Sequence, residues 1–330
     1  MAPTVDDLDA LVDRARDGSP RAVAQLLSLV EDQSPRLREV AAALAPYTGR
    51  ARVVGLTGSP GVGKSTTTSA LVRALRADGR RVGVLAVDPS SPFSGGALLG
   101  DRVRMSEHAT DSGVFIRSMA TRGHLGGLAA ATPQALRVLD AAGCDVVLVE
   151  TVGVGQSEVE VVALADTTVV LLAPGMGDGV QAAKAGILEV ADVFVVNKAD
   201  RDGADATARE LRHMMTMSDR DPSWWKPPVV RTVASRGEGI GKLVGALDDH
   251  RDWAVAAGRA QHGALRRARA EIEAIAVGAL RARIAQLRGA AALPELAQRV
   301  VDGVLDPYAA ADAVVAGVAG AAGVADATNG

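Results

Sequence analysis

The stretch Gly58-Ser59-Pro60-Gly61-Val62-Gly63-Lys64-Ser65 is a complete G-x-x-x-x-G-K-S motif. It lies between the apolar run RVVGLT (52–57) and the helix-like stretch STTTSALVRALRADG (65–79). Glycines let backbone N–H groups curl around an anion, and the positive end of a following helix adds to the same attraction. Because strand, loop and helix come in the required order, the motif predicts a phosphate-binding loop. The alternative is a glycine-rich turn without a ligand.

The side chains of this loop predict that it binds a nucleoside triphosphate together with Mg²⁺. Lys64 is placed to reach the β- and γ-phosphates, and the hydroxyl of Ser65 can complete the coordination shell of the metal. The expected nucleotide contacts are Gly58, Ser59, Pro60, Gly61, Val62, Gly63, Lys64, Ser65 and Thr66.

Short apolar runs alternate with helical patterns from Arg52 onward. The runs are RVVGLT, RVGVLAV, GVFIRS, CDVVLVE, TTVVLLA, ADVFVV and PVVRTV. Runs that are apolar on both faces are typical of central strands in a parallel sheet covered by helices on each side. One of the intervening helices is expected to start at Thr132-Pro133 and to close at Gly143. The predicted fold is therefore α/β, a P-loop domain with a mostly parallel, doubly wound sheet.

Three segments are predicted along the chain. Residues 1–50 form an N-terminal helical region, where Ser19-Pro20 and Ser34-Pro35 are expected to cap and start helices. Residues 51–250 form the P-loop domain. Residues 251–330 lack strand patterns and repeat apolar residues at mostly helical spacings, which predicts a helical arm. A further helix start is expected at Asp306-Pro307, followed by a frayed tail rich in alanine and glycine.

Two acidic residues at the ends of apolar runs are candidate metal ligands. Asp88 follows RVGVLAV and Glu150 follows CDVVLV, and ligands in such sheets bind at the carboxyl ends of the strands. Glu150 can hold metal-bound water while the N–H of Gly153 meets the γ-phosphate. Asp101, in a loop, is a weaker third candidate, since an isolated loop acid is usually only solvated. Asp88 and Glu150 could instead cap a turn or a helix.

The four residues Asn197-Lys198-Ala199-Asp200 follow the run ADVFVV and match the N-K-x-D guanine motif. A carboxylate at Asp200 can accept hydrogen bonds from guanine N1–H and N2–H₂, which adenine does not offer. Asn197 is expected to tie loops together, and the aliphatic stem of Lys198 to cover the ring. The backbone N–H of Ala234, after the last run, is a candidate donor to the guanine oxygen. A plain turn after a strand is the alternative interpretation.

The composition argues against several other classes of function. With 36 basic and 39 acidic residues the net charge is −3, so nothing attracts nucleic acid or anionic membrane in general. Aromatic residues make up only 2%, which leaves few rings for stacking on bases. Cys144 is the one cysteine, which rules out intramolecular disulfides and fits a reducing cytoplasm. No long uncharged apolar stretch occurs, so we expect neither export nor a membrane span.

The chain resembles the MeaB/ArgK/MMAA family, the methylmalonyl-CoA mutase-associated GTPases of the SIMIBI class. The stretches that carry the likeness span nearly the whole chain: GLTGSPGVGKSTTTSAL, VLAVDPSSPFSGGALLGDRVRM, FIRSMATRGHLGGLA, ETVGVGQSE, GMGDGVQAAKAGILEVADVFVVNKAD and DPYAAA. The resemblance implies that Lys64 and Ser65 bind phosphate and Mg²⁺, and that Asp88, Asp101 and Glu150 surround the metal. It also implies that Asn197, Lys198 and Asp200 read the guanine of GTP or GDP.

The resemblance further implies a protein partner, a B12-dependent acyl-CoA mutase whose adenosylcobalamin loading the GTPase gates and which it protects from inactivation. Loops at 88–101, around Gly153 and at 181–184 are expected to act as switches, and the C-terminal helices to form a homodimer. Two departures from the family pattern stand out, Gly179 in Gly-Asp-Gly (177–179), where a second Asp is common, and Val233, where Ser is common. The first bears on coupling to the mutase, and the second on the guanine loop.

The expected reaction is hydrolysis of GTP by in-line attack of water, with Lys64, Mg²⁺ and the loop amides stabilising the transferred phosphoryl group. Val154 stands where many small GTPases carry a water-orienting Gln, which predicts slow intrinsic turnover with Gln156 or a partner residue compensating. Asp88 is another candidate for orienting the water. The alternatives are a metallochaperone GTPase, disfavoured because one Cys and five scattered His give no soft-metal motif, an ArgK-like kinase of a transport protein, or a purely structural helical protein.

Overall fold

The computed structural model describes residues 5–89, 106–108, 110–121, 127–151, 164–175, 190–217, 224–289 and 292–326. The strands are β1 (Arg52–Thr57), β2 (Val82–Pro89), β3 (Val114–Thr121), β4 (Val146–Thr151), β5 (Thr167–Leu172), β6 (Val193–Val196) and β7 (Val229–Arg231). The helices are α1 (Val5–Arg16), α2 (Pro20–Glu31), α3 (Leu37–Leu44), α4 (Lys64–Ala77), α5 (Gly127–Ala141), α6 (Ala204–Met217), α7 (Ile240–Ala256), α8 (Ala260–Gly289), α9 (Ala292–Val301) and α10 (Pro307–Asp326). Each of the seven apolar runs contains a strand.

The strands form one sheet in the order β3-β2-β4-β1-β5-β6-β7, and the pairings between these strands are parallel. β1 lies at the centre, between β4 and β5. The order reverses direction there, and in doubly wound sheets this switch point is where ligands bind, outside the carboxyl ends of the strands. The predicted α/β fold with a doubly wound sheet is confirmed.

Alternating side chains of the strands pack on opposite faces of the sheet, as the period of two requires. On one face, Val53 of β1 joins a core built with α1, α2, α3 and α5. On the other face, Val54 joins a core formed with α4 and α7. A third cluster, around Phe194 of β6, packs against α6. Because both faces are covered, the central strands β1, β4 and β6 are mostly apolar, and polar side chains such as Glu150 lie at the carboxyl edge.

The two Ser-Pro pairs of the N-terminal region differ in their structure. Ser19 is the N-cap of α2, its hydroxyl accepts the N–H of Ala22, and Pro20 is the first helical residue, as predicted. The prediction for Ser34-Pro35 was wrong, because α3 begins only at Leu37. The hydroxyl of Ser34 accepts the N–H of Arg36 at 3.3 Å, so it closes a local turn instead of capping a helix.

The helix that precedes β4 also starts earlier than Thr132-Pro133 predicts. α5 begins at Gly127, which places Pro133 inside it as the seventh residue. Proline removes one helical hydrogen bond, but the face that carries Leu139 is fully buried in the core, and this packing outweighs the loss. The predicted end is confirmed, since Gly143 has φ +81° and its N–H donates to Asp140 O just after the helix.

The chain folds into two compact units, Met1–Ala270 and Glu271–Gly330. The predicted helical character beyond residue 250 is confirmed by α8, α9 and α10. Asp306 caps α10 as expected, because its Oδ1 accepts the N–H groups of Tyr308 and Ala309 at 2.9 and 3.1 Å. α10 runs to Asp326, and fraying of the tail stays a prediction, as does the three-segment division of the chain. Among the described helices, none combines the length and apolar character needed to cross a bilayer.

Candidate nucleotide site

The loop 58–63 connects the end of β1 to the start of α4, at the carboxyl edge of the central strand. Gly58 and Gly63 have φ values of +140° and +95°, in the region that favours glycine. A Cβ at Gly58 would overlap the carbonyl oxygen of Leu171 in β5, and a Cβ at Gly63 would overlap the side-chain amide of Asn197. The sequence therefore needs glycine at these two positions for steric reasons, and Gly63 is also the N-cap residue of α4.

Lys64, the first residue of α4, has a buried side chain that folds back into this loop. Its Nζ donates to the carbonyl oxygen of Gly58 and, at 3.1 Å, to that of Ser59. Carbonyl oxygens of the loop thus hold the ammonium group within the loop itself. Thr66, in contrast, is exposed on the first turn of the helix.

Glu150 on β4 is joined to α4 by two hydroxyl groups. Ser65 Oγ donates to Glu150 Oε1 at 2.6 Å, and Thr68 Oγ1 donates to Glu150 Oε2 at 2.8 Å. Only 4% of Glu150 is exposed, so its carboxylate lies against the first turns of α4, largely shielded from bulk water. The structure brings together the predicted pair Ser65 and Glu150, and it adds Thr68, which the sequence analysis did not name.

The other candidates for metal binding and catalysis are described only in part. Asp88 lies near the end of β2, one register position beyond Val87, which pairs with Thr151 of β4, so its backbone is at the same edge as Glu150. The side chain of Asp88 lies outside the described part. So do Asp101, Gly153 and Gln156, together with Val154, Gly179 and the loops expected to act as switches. Within the described ranges, no group of three or more His, Cys, Asp or Glu residues is placed to hold a metal.

The guanine motif follows β6 and contacts the phosphate loop directly. Asn197 Nδ2 donates to the carbonyl oxygen of Val62 at 2.9 Å, and Lys198 Nζ donates to that of Gly61 at 2.6 Å. Lys198 has φ +56°, a left-handed conformation uncommon for a side-chain-bearing residue. The two loops are therefore one connected structure, as the expected tying role of Asn197 requires.

Asn197 also holds the loop that follows β7. Its Oδ1 accepts hydrogen bonds from Thr232 Oγ1 and from the N–H of Ala234, both at 3.1 Å. The N–H of Ala234 was expected to meet the guanine oxygen, and in this structure it donates to Asn197 Oδ1. Ala234 thus belongs to the site through Asn197, and its contact with the base stays a prediction.

Asp200 is more exposed than Asn197 and has a cationic neighbour. Arg236 Nη2 lies 3.4 Å from Asp200 Oδ2, and both side chains are partly solvated. Sequence reasoning missed Arg236, Thr232 and Thr68. Only Thr68 had a usable signal, since it lies three residues after Ser65 and such residues share one helix face. The positions of Arg236 and Thr232 depend on how the loop after β7 folds back towards β6.

Known proteins resemble this chain over most of its length. The family model described as “Methylmalonyl Co-A mutase-associated GTPase MeaB” matches residues 23–288. A relative in Pyrococcus abyssi, whose name assigns it to the GTPases, is 47% identical over 95% of this chain and 97% of its own length. The GTPase ArgK of Escherichia coli is 40% identical over 75% of this chain and 77% of its own. A crystal structure described as an LAO/AO transport system kinase matches with a TM-score of 0.69 at 28% identity, covering 96% of this chain and 99% of that one.

Proposed function

The chain belongs to the family of methylmalonyl-CoA mutase-associated GTPases, and from that premise we propose that it serves an adenosylcobalamin-dependent acyl-CoA mutase. In this proposal the GTPase gates loading of the cofactor onto the mutase and protects the mutase from inactivation. The observation that supports binding of a guanine nucleotide is the contact between the phosphate loop (58–63) and the guanine motif (197–200). Asn197 and Lys198 both donate to carbonyl groups of the phosphate loop, so base recognition and phosphate recognition share one support.

The chain binds a guanine nucleotide as a P-loop GTPase, and we assign its parts as follows. The backbone N–H groups of the loop 58–63 and the N-terminus of α4 hold the phosphates, with Lys64 at the β- and γ-phosphates. Asp200 accepts the guanine N1–H and N2–H₂ groups, and the stem of Lys198 covers the ring. Guanine replaces Arg236 as the partner of Asp200. Breaking this ion pair costs little free energy because both of its side chains are exposed to solvent.

The residues around Ser65 fit Mg²⁺ in their chemistry. Mg²⁺ prefers oxygen ligands and keeps several waters, and Ser65 Oγ and the carboxylate of Glu150 are hard oxygen donors 2.6 Å apart beside the phosphate loop. Ser65 and Glu150 would hold the ion or its waters, and Asp88 and Asp101 are the further proposed ligands. When bound, the metal neutralises charge on the β- and γ-phosphates.

Hydrolysis in this proposal depends mainly on positioning. Lys64 and the amides of the phosphate loop stabilise charge on the transferred phosphoryl group while water attacks in line. Gly153 contributes its N–H to the γ-phosphate. Val154 cannot orient a water, so the isolated protein turns over slowly, and Gln156, Asp88 or a residue of the mutase supplies that role.

The proposed partner contacts include a second copy of the chain. Leu265, Ile272, Ile275 and Leu280 of α8 are between 49% and 68% exposed, which is unusual for large apolar side chains on one helix. Such residues are suited to pack against another helix, and they support the proposed homodimer. The mutase itself is proposed from the description of the family, since no described residue identifies it.

The test is single-turnover hydrolysis of GTP labelled at the γ-phosphate, with and without candidate adenosylcobalamin-dependent mutases. We expect slow release of free phosphate from the chain alone and a changed rate with the client. Sedimentation velocity on the same samples should give twice the chain mass for the GTPase alone and a larger complex with the mutase. If no mutase changes the rate or the sedimentation, the client assignment is wrong while the GTPase remains.

The kinase alternative gives a different result in the same assay. The related crystal structure carries a description as a transport system kinase, and the relative ArgK is named as a GTPase. Transfer of the labelled phosphate to a protein would support the kinase, and its release into solution supports hydrolysis. A nickel-type metallochaperone is disfavoured by the sequence, because one cysteine and five scattered histidines form no soft-metal motif.

A further inference from the structure

Thr68 lies one helical turn after Ser65 on α4, and both hydroxyls face the same carboxylate. Ser65 Oγ is 2.6 Å from Glu150 Oε1, and Thr68 Oγ1 is 2.8 Å from Glu150 Oε2. Each oxygen of the carboxylate is therefore held by a hydroxyl from the same helix face. Two separate donors on two oxygens fix the plane of the carboxylate as well as its position.

The Thr68 hydroxyl has a second acceptor, the carbonyl oxygen of Lys64, at 3.0 Å. A hydroxyl carries a single proton, so it donates to one acceptor at a time. The carboxylate contact is shorter, and hydrogen bonds to an ionised acceptor are about twice as strong as those between neutral groups. The proton of Thr68 is therefore directed at Glu150.

Water cannot easily replace this hydroxyl. Thr68 is fully buried, and Glu150 is 4% exposed. Removing the hydroxyl would take a donor from a carboxylate in a low-dielectric environment, where a lost hydrogen bond to a charged group is costly. The carboxylate would then turn about its χ3 torsion or shift along the strand edge.

We propose that Thr68 is a positioning residue that orients Glu150 towards Mg²⁺ and its bound water. The proposal rests on the proposed binding of Mg²⁺ at Ser65 and Glu150. Thr68 itself does not touch the metal or the nucleotide. Loss of the Thr68 hydroxyl should therefore lower the affinity for Mg²⁺. It should leave the affinity of the phosphate loop for nucleotide unchanged when Mg²⁺ is absent.

The neighbouring Thr67 provides a matched control. Thr67 is also fully buried, and its Oγ1 donates to the carbonyl oxygen of Gly63 at 2.9 Å, within the same helix turn. Replacing either threonine by valine removes one hydroxyl and keeps the shape of the side chain. The change at residue 68 removes a hydrogen bond to Glu150, whereas the change at residue 67 removes a hydrogen bond to the backbone of Gly63.

The experiment follows the release of a fluorescent GDP analogue from the full chain at increasing MgCl₂ concentration and in EDTA. Bound Mg²⁺ should slow release in the unchanged chain. In Thr68→Val, the Mg²⁺ concentration for half-maximal slowing should rise about tenfold. Thr68→Ser, which restores the donor, should stay within about threefold, and Thr67→Val should match the unchanged chain. In EDTA all four should release the analogue at the same rate.

Several outcomes would overturn the proposal. An unshifted Mg²⁺ midpoint in Thr68→Val, or an equal shift in Thr68→Ser, would show that the hydroxyl does not orient Glu150. Faster release by Thr68→Val already in EDTA would indicate a general structural role. If Thr68→Val does not fold, Thr68→Ala carries the same expectation. If Mg²⁺ fails to slow release from the unchanged chain, the proposed metal site itself is wrong, and this result is distinguishable because it involves no variant.

Discussion

Replacing Gly63 by alanine tests whether the phosphate loop and the guanine loop are mechanically joined. The added Cβ would lie well inside 3.0 Å of Asn197 Nδ2, closer than real Cβ atoms approach, and φ at this position is +95°. Gly61 is the matched control, because it has a similar φ of +80° and nothing within 4 Å of the added Cβ. The two variants share the backbone strain and differ in the contact with Asn197.

The expected magnitude follows from what Asn197 would lose. A side chain in the left-handed region costs about 1–2 kcal/mol of unfolding free energy, which is the expected effect of Gly61→Ala. Moving the buried Asn197 disturbs hydrogen bonds with Val62 O, Thr232 Oγ1 and Ala234 N, each worth about 1 kcal/mol. Gly63→Ala should therefore lose about 4–5 kcal/mol.

The assay is urea unfolding of both single variants, of Asn197→Ala and of the double variant Gly63→Ala with Asn197→Ala. In the absence of the Asn197 amide, Gly63→Ala should cost only the backbone strain of about 1–2 kcal/mol, so the cycle should show a coupling of about 3 kcal/mol. Equal losses for Gly63→Ala and Gly61→Ala, or a coupling below about 0.5 kcal/mol, would refute the reasoning.

Two further predictions concern the core and the base. Burial raises the pKa of the Cys144 thiol to about 12, so at pH 8 only about one thiol in 10⁴ is ionised. A thiol reagent should therefore label the native chain far more slowly than the urea-unfolded chain. Equal labelling rates would contradict the burial of Cys144. Asp200→Asn replaces one of the two carboxylate oxygens that would accept guanine N1–H and N2–H₂ by an N–H₂ donor. Calorimetry should show the affinity for GTP falling about 10- to 100-fold, while the affinity for xanthosine triphosphate, which has a carbonyl in place of the guanine amine, rises. Unchanged selectivity would remove Asp200 from base recognition.

Most of the fold could be predicted because its signals are local. The run of Val53 and Val54 before the glycine-rich motif indicates a strand that is apolar on both faces, and the structure places these residues in two different cores. Asp306 and Ser19 cap helices by contacts within three residues, which the sequence displays directly. Where a local signal competed with packing, as at Pro133 in α5, the packing decided.

The site was predictable in its motifs but not in their connections. Thr66, Thr67 and Thr68 are three identical letters with three different environments, since the first is exposed, the second bonds to its own helix and the third to Glu150. Their difference arises from the packing of α4 on β4, which is non-local. Similarly, the pairing of Arg236 with Asp200 depends on the fold of the loop after β7.

The strand order also determines which perturbations should act independently. Glu150 lies near the end of β4 on one side of β1, and Asn197 follows β6 on the other, two strands beyond the phosphate loop. At about 4.8 Å per strand, the two ends of the site are about 14 Å apart. Changes at such distances with no shared partner usually add, so Thr68→Val and Asp200→Asn should combine additively in their effects on GDP binding with Mg²⁺. Gly63, where an added Cβ would meet the side chain of Asn197, is the position where that additivity should fail.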